Sequence, residues 1–269
     1  MRKVIITFFI VVFIGFGAVA QNRSFLLKKF SNDQIKSELF LYLAKNYNSN
    51  ALAILKSSKK YSDYTHWAHG KSHAEMLRSF GTVIHETCHS YNFNIGGFDG
   101  FGYYISPDIQ IVVPETKVFK SNELDNEIPK EWKKNIFRYK TYIKGELGMG
   151  NISSIKNGIY GLMDEFDAYY QDTRASVELF DYYKTFASYS DPEAWTEYLS
   201  NCYSTLYAYY EFRLFMAWYL KYAKQKHKSI YLSINQNKNL KVVYTLINNA
   251  YIKTIDQYYK NREFIIDNI

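Results

Sequence analysis

The stretch SHAEMLRSFGTVIHETCHSYN, residues 72–92, decides the fold. Its apolar side chains recur every three or four residues, which predicts one apolar stripe along an amphipathic helix. The stripe residues are Leu77, Phe80, Ile84, Cys88 and Tyr91. Ser72 can cap the first turn, with Glu75 three residues later as a capping box requires. Gly96-Gly97 follows as the stop signal, so the sequence predicts a helix from about Ser72 to Asn92.

The same helix carries the pattern HETCH, from His85 to His89. A spacing of four residues places both imidazoles on one face, one turn apart, where they can share a metal ion. Glu86 lies on the flank of that face, where its carboxylate can reach a water bound to the metal. This arrangement fits zinc-assisted hydrolysis, with His85 and His89 as ligands and Glu86 as the general base.

A catalytic zinc needs a third protein ligand and an open position. The best source is the acidic, aromatic segment 161–170. Its helical pattern predicts a buried stripe of Ile159, Leu162, Phe166 and Tyr169. Glu165 stands at the edge of that stripe, whereas Asp164 is expected to point nearly opposite and Asp167 to lie well round the helix. Glu165 is therefore the predicted third ligand, Glu211 is the alternative, and pairing of Glu165 with Arg174 or a tyrosine would leave it structural.

The rest of the chain predicts an α+β fold that is predominantly helical, with one small β-sheet and a helical C-terminal half. An amphipathic helix or two is expected at 32–57, and strands at 103–106 and 109–113 around the turn Pro107-Asp108. Further helices are predicted at 132–144, 155–170, 175–189, 192–226 and 241–261.

The HETCH helix with a later glutamate-bearing helix resembles the zincin metallopeptidases, in particular the gluzincins, whose third zinc ligand is Glu. The resemblance covers 72–92 and, more weakly, 161–170. It implies one zinc ion per chain and a peptide or protein substrate. Two features depart from that family. Tyr169 stands where many gluzincins have an Asp, and the strands follow the motif helix, so the substrate edge is either Tyr103 to Val113 or an unrecognised strand before Ser72.

Residues 1–20 read as a cleavable secretory signal. Arg2 and Lys3 precede an apolar run from Val4 to Phe16, and Ala18-Val19-Ala20 supplies the small residues of a cleavage site. The run is too short to cross a bilayer, which favours a cleaved signal over an uncleaved membrane anchor. No stable membrane insertion is therefore expected after cleavage. We therefore expect a secreted or periplasmic protein with a single catalytic domain over 21–269, and a helical subdomain from about 176.

Composition narrows the remaining functions. The net charge of +7 is spread along the chain without a dense basic patch, which argues against nucleic-acid binding. Two cysteines, Cys88 and Cys202, do not make a disulfide scaffold.

His66 or His69 could form a second weak metal site or stabilise an oxyanion, although solvated loop histidines are the simpler interpretation. Two other functions stay open: a zinc hydrolase of a non-peptide bond, and a helical, Tyr-rich surface or binding protein with an incidental motif.

Overall fold

Helices and one two-stranded antiparallel sheet make up the computed structural model, which describes residues 24–146, 148–188 and 190–268. The proposed signal, 1–20, lies outside these residues. The helices are α1 (Asp33–Tyr47), α2 (Ser49–Ser57), α3 (Ser62–Thr65), α4 (His73–Gly96), α5 (Lys130–Asn135), α6 (Ser153–Lys156), α7 (Gly158–Val177), α8 (Phe180–Phe186), α9 (Pro192–Leu206), α10 (Ala208–Lys226), α11 (Lys228–Gln236) and α12 (Lys238–Asn268). The strands are β1 (Phe101–Ser106) and β2 (Ile109–Val113). Short 3-10 turns occupy Ser121–Glu127 and Met149–Asn151, and a π turn occupies Lys140–Lys144. The predicted fold class, α+β and predominantly helical, is confirmed.

The motif helix α4 begins at the predicted cap. The Ser72 hydroxyl accepts a hydrogen bond from the Glu75 amide, and the Glu75 carboxylate accepts one from the Ser72 amide at 2.8 Å. Both orphan amides of the first turn are thereby satisfied. The helix continues past Asn92 and ends at Gly96, and Gly97 follows with φ of +55°. The predicted helix is confirmed, with a longer C-terminal end.

Helices α4 and α7 form the centre of the fold, and they run antiparallel. Asn92, near the end of α4, bonds Asp164 near the start of α7, while Gly81 lies against Asp172 further along α7. Helices α9, α10 and α12 pack on the other sides of α7. One continuous apolar cluster includes buried residues from before and after residue 176. The burial of α7 on all sides explains why it holds polar side chains at fixed positions.

The sheet packs directly on the C-terminal end of α4. A Cβ on Gly102 would lie 2.4 Å from the Asn92 carbonyl oxygen, so only glycine permits this approach. The Tyr104 amide donates to the Asn92 side chain at 2.8 Å, and the Gln171 side chain donates to the Tyr104 carbonyl at 2.8 Å. The outer edge of β1 is therefore occupied by side chains. On β2, the Asn239 side chain donates to the Val112 carbonyl at 2.9 Å.

Several of the predicted helices are interrupted or shorter than expected. The segment 132–144 breaks after Asn135, because the Phe137 amide donates to Glu211 at 2.7 Å and the Arg138 guanidinium pairs with the same carboxylate at 2.7 Å. The segment 192–226 divides at Tyr207 into α9 and α10, and 175–189 is reduced to α8, which begins at Phe180. Bonds between distant elements outweigh local helical pattern at the first of these breaks.

Both cysteines are buried and free, as expected for a fold stabilised by its core rather than by a disulfide. Within the described ranges, no helix combines the length and the apolar character needed to cross a bilayer.

Acid should weaken the fold through His73. This buried imidazole lies 2.6 Å from the Tyr182 hydroxyl, and burial lowers its pKa from 6.5 to about 4. Between those values the unfolded chain binds a proton that the folded chain refuses, so stability is lost as pH falls from 6.5 towards 4. The loss from this group should reach up to about 3 kcal/mol. Chemical denaturation of wild type and His73→Gln across this range measures it. The variant should show a shallower pH slope, whereas the exposed His66→Gln should keep the wild-type slope. Equal slopes in all three proteins would contradict the prediction.

Candidate metal centre

The two histidines of HETCH meet on one face of α4, as the sequence predicts. Their Nε2 atoms are 3.2 Å apart, and the rings are nearly perpendicular. His85 is buried with 5% of its surface exposed, and the His89 side chain is 23% exposed. The pair therefore lies at the inner end of a site that solvent reaches from the His89 side.

Glu165 on α7 completes the cluster, in agreement with the prediction. Its Oε2 atom lies 3.6 Å from His85 Nε2 and 3.5 Å from His89 Nε2. These are long for hydrogen bonds, and the Oε2 atom is buried with no hydrogen-bond partner within the described residues. A buried carboxylate oxygen in that state is costly unless something else neutralises it.

The spacing of the three ligand atoms fits a metal ion. In a tetrahedral zinc site with ligands about 2.0–2.1 Å from the metal, ligand atoms lie about 3.3 Å from one another. The separations of 3.2, 3.5 and 3.6 Å among His85, His89 and Glu165 are close to that value. The buried His85-His89-Glu165 group could thus hold a metal ion, and it is the one such group that the described residues contain.

Asp164 lies beside His89, although the sequence analysis expected it to point nearly opposite to the buried stripe of α7. Its Oδ2 atom accepts a hydrogen bond from His89 Nδ1 at 2.7 Å, and its Oδ1 atom accepts one from Asn92 at 2.9 Å. The bond to Nδ1 leaves the Nε2 lone pair of His89 directed towards Glu165 and His85. Asp164 thus orients His89, a member of the group that could hold a metal ion, and the sequence analysis did not assign it that role.

Burial and acidic neighbours act in opposite directions on His89. Burial disfavours the charged imidazole, but Asp164 and Glu165 together raise the pKa of His89 well above its usual range. The same histidine and His85 hold the pKa of Glu165 down to about 2, against its burial. Each shift therefore favours the charged form of the group against its burial.

Asn92 connects the centre to the sheet. Its amide nitrogen donates to Asp164 and to Asp167, at 2.9 and 3.0 Å, and its oxygen accepts from Tyr104. Burial raises the pKa of Asp167 to about 8, which the bond from Asn92 opposes and the charge of Asp164 reinforces. Asn92 follows His89 by three residues, so helical spacing alone could have placed it on the ligand face.

The ring of Tyr169 packs against His85, which has no hydrogen-bonding partner at Nδ1 among the described residues. The Tyr169 ring packs edge-on against the His85 ring at 4.4 Å, and Arg138 lies over the tyrosine ring at 4.4 Å. The Tyr169 hydroxyl bonds Tyr142 at 2.9 Å. His85 Nδ1 is buried and has no hydrogen-bond partner among the described residues. Packing therefore positions His85, whereas a carboxylate positions His89.

Glu86 is half-buried and follows His85 directly in α4. It forms no hydrogen bond or ion pair with any residue that the structure describes, in contrast to Asp164. The nearby Asp172 is buried, and burial raises its pKa to about 6, while the charges of His85 and Arg138 oppose the rise.

Gly81, one turn before His85, does not leave room for a substrate. A Cβ there would lie 2.0 Å from Asp172 Oδ1 and 2.9 Å from the Ser176 hydroxyl, so the space is taken by α7.

The alternative ligand, Glu211, lies outside the cluster of His85, His89 and Glu165, because it is paired with Arg138. His66 lies in an exposed segment with Nδ1 3.1 Å from the Ser62 carbonyl, and the described residues show no second metal-binding group.

The strand edges proposed from the sequence as a substrate edge are partly occupied by side chains. No strand precedes α4 in the described residues, and both β1 and β2 have backbone groups bonded by side chains on their outer edges. A cleft of about 190 Å³ lies beside His89. Its lining includes His89, Asn92, Asp164, Phe101 and Gly102.

Asp164→Asn should weaken metal binding by about 10–100-fold, the effect typical of residues that orient a metal ligand. The new amide has only one oxygen acceptor in place of two. If its NH₂ group faces His89 Nδ1, the hydrogen bond from His89 is lost, and if it faces Asn92, the hydrogen bond from Asn92 is lost. Competition with a fluorescent zinc chelator measures the affinity, and the exposed Asp99→Asn serves as the matched control. An affinity equal to that of the control would show that Asp164 does not act through His89.

Comparison with models of protein families, with curated proteins and with solved structures gives no match for this chain.

Proposed function

We propose that this protein is a zinc-dependent hydrolase that cleaves peptide bonds. The observation that carries the proposal is the triangle of His85, His89 and Glu165, together with the half-buried Glu86 that follows His85 on the same helix. Two histidines and a glutamate are a ligand set of catalytic zinc, and they leave a coordination position open.

Zinc held by these side chains would polarise a substrate carbonyl and lower the pKa of a water molecule at the open position. Glu86 accepts the proton from the attacking water and then donates it to the leaving nitrogen. Asp164 holds His89 in the tautomer that presents Nε2 to the metal, and Tyr169 fixes the ring of His85. Export directed by residues 1–20 would place this activity outside the cytoplasm.

A second candidate is a zinc hydrolase of a small, non-peptide substrate. It is favoured by the capped strand edges and by the small volume of the cleft beside His89, about 190 Å³. An extended peptide normally pairs with a free strand edge, whereas both backbone groups of Tyr104 on β1 are already bonded by side chains.

The activity should depend on zinc. Purified 21–269 should hydrolyse fluorogenic casein or short quenched peptides, lose that activity after treatment with a chelator, and regain it on addition of zinc. Cleavage of small esters or amides with no cleavage of peptides would favour the second candidate. Hydrolysis that survives complete removal of metal would contradict both.

A further inference from the structure

A second cavity lies away from the metal centre, between α7 and the C-terminal helices α10, α11 and α12. Its volume is about 710 Å³, within the range of about 300–1,000 Å³ typical of ligand pockets. The buried part of its lining is apolar and consists of Ile159, Met163, Met216, Ile234 and Leu240. None of the lining residues is a ligand of the metal centre.

The rim of this cavity is basic. Arg213, Lys221, Lys224 and Lys241 line it and are exposed, and its lining includes no aspartate or glutamate. None of the three lysines forms an ion pair with another described residue, and the hydrogen bonds of the Arg213 guanidinium go to tyrosine hydroxyls, of Tyr209 at 2.7 Å and Tyr244 at 3.2 Å. Four cations therefore surround one opening without a neutralising carboxylate, which attracts an anion.

The buried apolar lining, which forms the floor of the cavity, and the basic rim together indicate what kind of molecule the cavity binds. The floor offers apolar side chains and few hydrogen-bonding groups, so a peptide backbone inserted there would leave its polar groups unsatisfied. A hydrocarbon chain has no such requirement and gains from burial. An anionic head at the same end would reach the lysines and Arg213, whose donors remain in water.

We propose that this cavity binds a single-chain anionic amphiphile, a long-chain carboxylate of the fatty-acid type. The hydrocarbon chain occupies the apolar floor, and the carboxylate is held at the rim by Lys221, Lys224 and Lys241. The site is separate from hydrolysis, because it lies on the side of α7 that faces the C-terminal helices, whereas Glu165 faces α4.

The probe for the test is cis-parinaric acid, whose fluorescence rises in an apolar environment, titrated into the full mature chain. Ala217 is an exposed lining residue, so Ala217→Trp should fill the opening without disturbing the core and should abolish saturable binding. The triple variant Lys221→Gln/Lys224→Gln/Lys241→Gln should weaken binding about tenfold. The matched control is Lys45→Gln/Lys253→Gln/Lys260→Gln, which removes three exposed lysines outside this cavity and should bind as wild type does.

The methyl ester of the probe lacks the negative charge and should bind wild type about tenfold more weakly than the acid. Its affinity for the triple lysine variant should equal its affinity for wild type. No saturable binding of the acid by wild type would overturn the proposal, as would binding that Ala217→Trp leaves unchanged. Equal affinity for acid and ester would overturn the role of the basic rim. A native dimer that Ala217→Trp dissociates, measured by light scattering, would assign the cavity to a second copy of the chain instead.

Discussion

Glu86→Gln is expected to lower kcat for peptide hydrolysis by about 10²–10⁴-fold, the usual contribution of a general base. Glutamine has nearly the shape of glutamate but cannot accept the proton from the attacking water. Because Glu86 is not one of the three clustered ligands, the variant should retain the zinc content and the melting temperature of wild type. Steady-state kinetics with metal analysis on the same sample separates the loss of chemistry from the loss of metal.

The matched control for that experiment is Glu115→Gln, an exposed glutamate outside the metal cluster, which should keep full activity. A Glu86→Gln protein that is fully active would remove the proposed base from the mechanism. An inactive variant that has also lost its zinc would show instead that Glu86 supports the metal.

Glu165→Gln is expected to abolish the stabilisation of the fold by zinc. For wild type, zinc at about a thousandfold above its Kd should add about 4 kcal/mol, which raises Tm by about 10 °C in a chain of this length. Exchanging the carboxylate for an amide removes the charged ligand, so the shift should disappear in the variant. Thermal unfolding with and without zinc measures it.

Glu211→Gln provides the control, because it alters another buried glutamate whose partner is Arg138 rather than the histidines. It should unfold at a lower temperature than wild type but should keep the zinc-dependent shift. If Glu165→Gln kept the shift as well, the third ligand would have to be a different residue.

Local periodicity was sufficient for α4 and for its two histidines, because an (i, i+4) spacing on a capped helix fixes the relative positions of side chains without reference to the rest of the fold. Glu165 was also predictable, since a carboxylate at the edge of a buried stripe needs a partner. The role of Asp164 was not predictable. A helical wheel for α7 shows in which direction each side chain leaves the helix axis, but it does not show that His89 of α4 lies beside Asp164. The antiparallel crossing of α4 and α7 brings both 164 and 165 to the histidines.

Two further differences involve long-range hydrogen bonds. The segment 132–144 has a helical pattern, but Glu211 binds the amide of Phe137 and the guanidinium of Arg138 and so stops the helix. The strands 103–106 and 109–113 were predictable from β-prone residues and a turn. The side chains that bond the outer edges of these strands were not predictable, because Asn92, Gln171 and Asn239 come from distant helices.

The most direct test of the metal centre is the zinc content of purified wild-type protein by elemental analysis, with His89→Ala measured in parallel. The three-ligand site predicts about one zinc per chain in wild type and almost none in the variant. A wild-type protein without zinc after expression in ample metal, or a variant that retains the wild-type amount, would contradict a zinc site built from His85, His89 and Glu165.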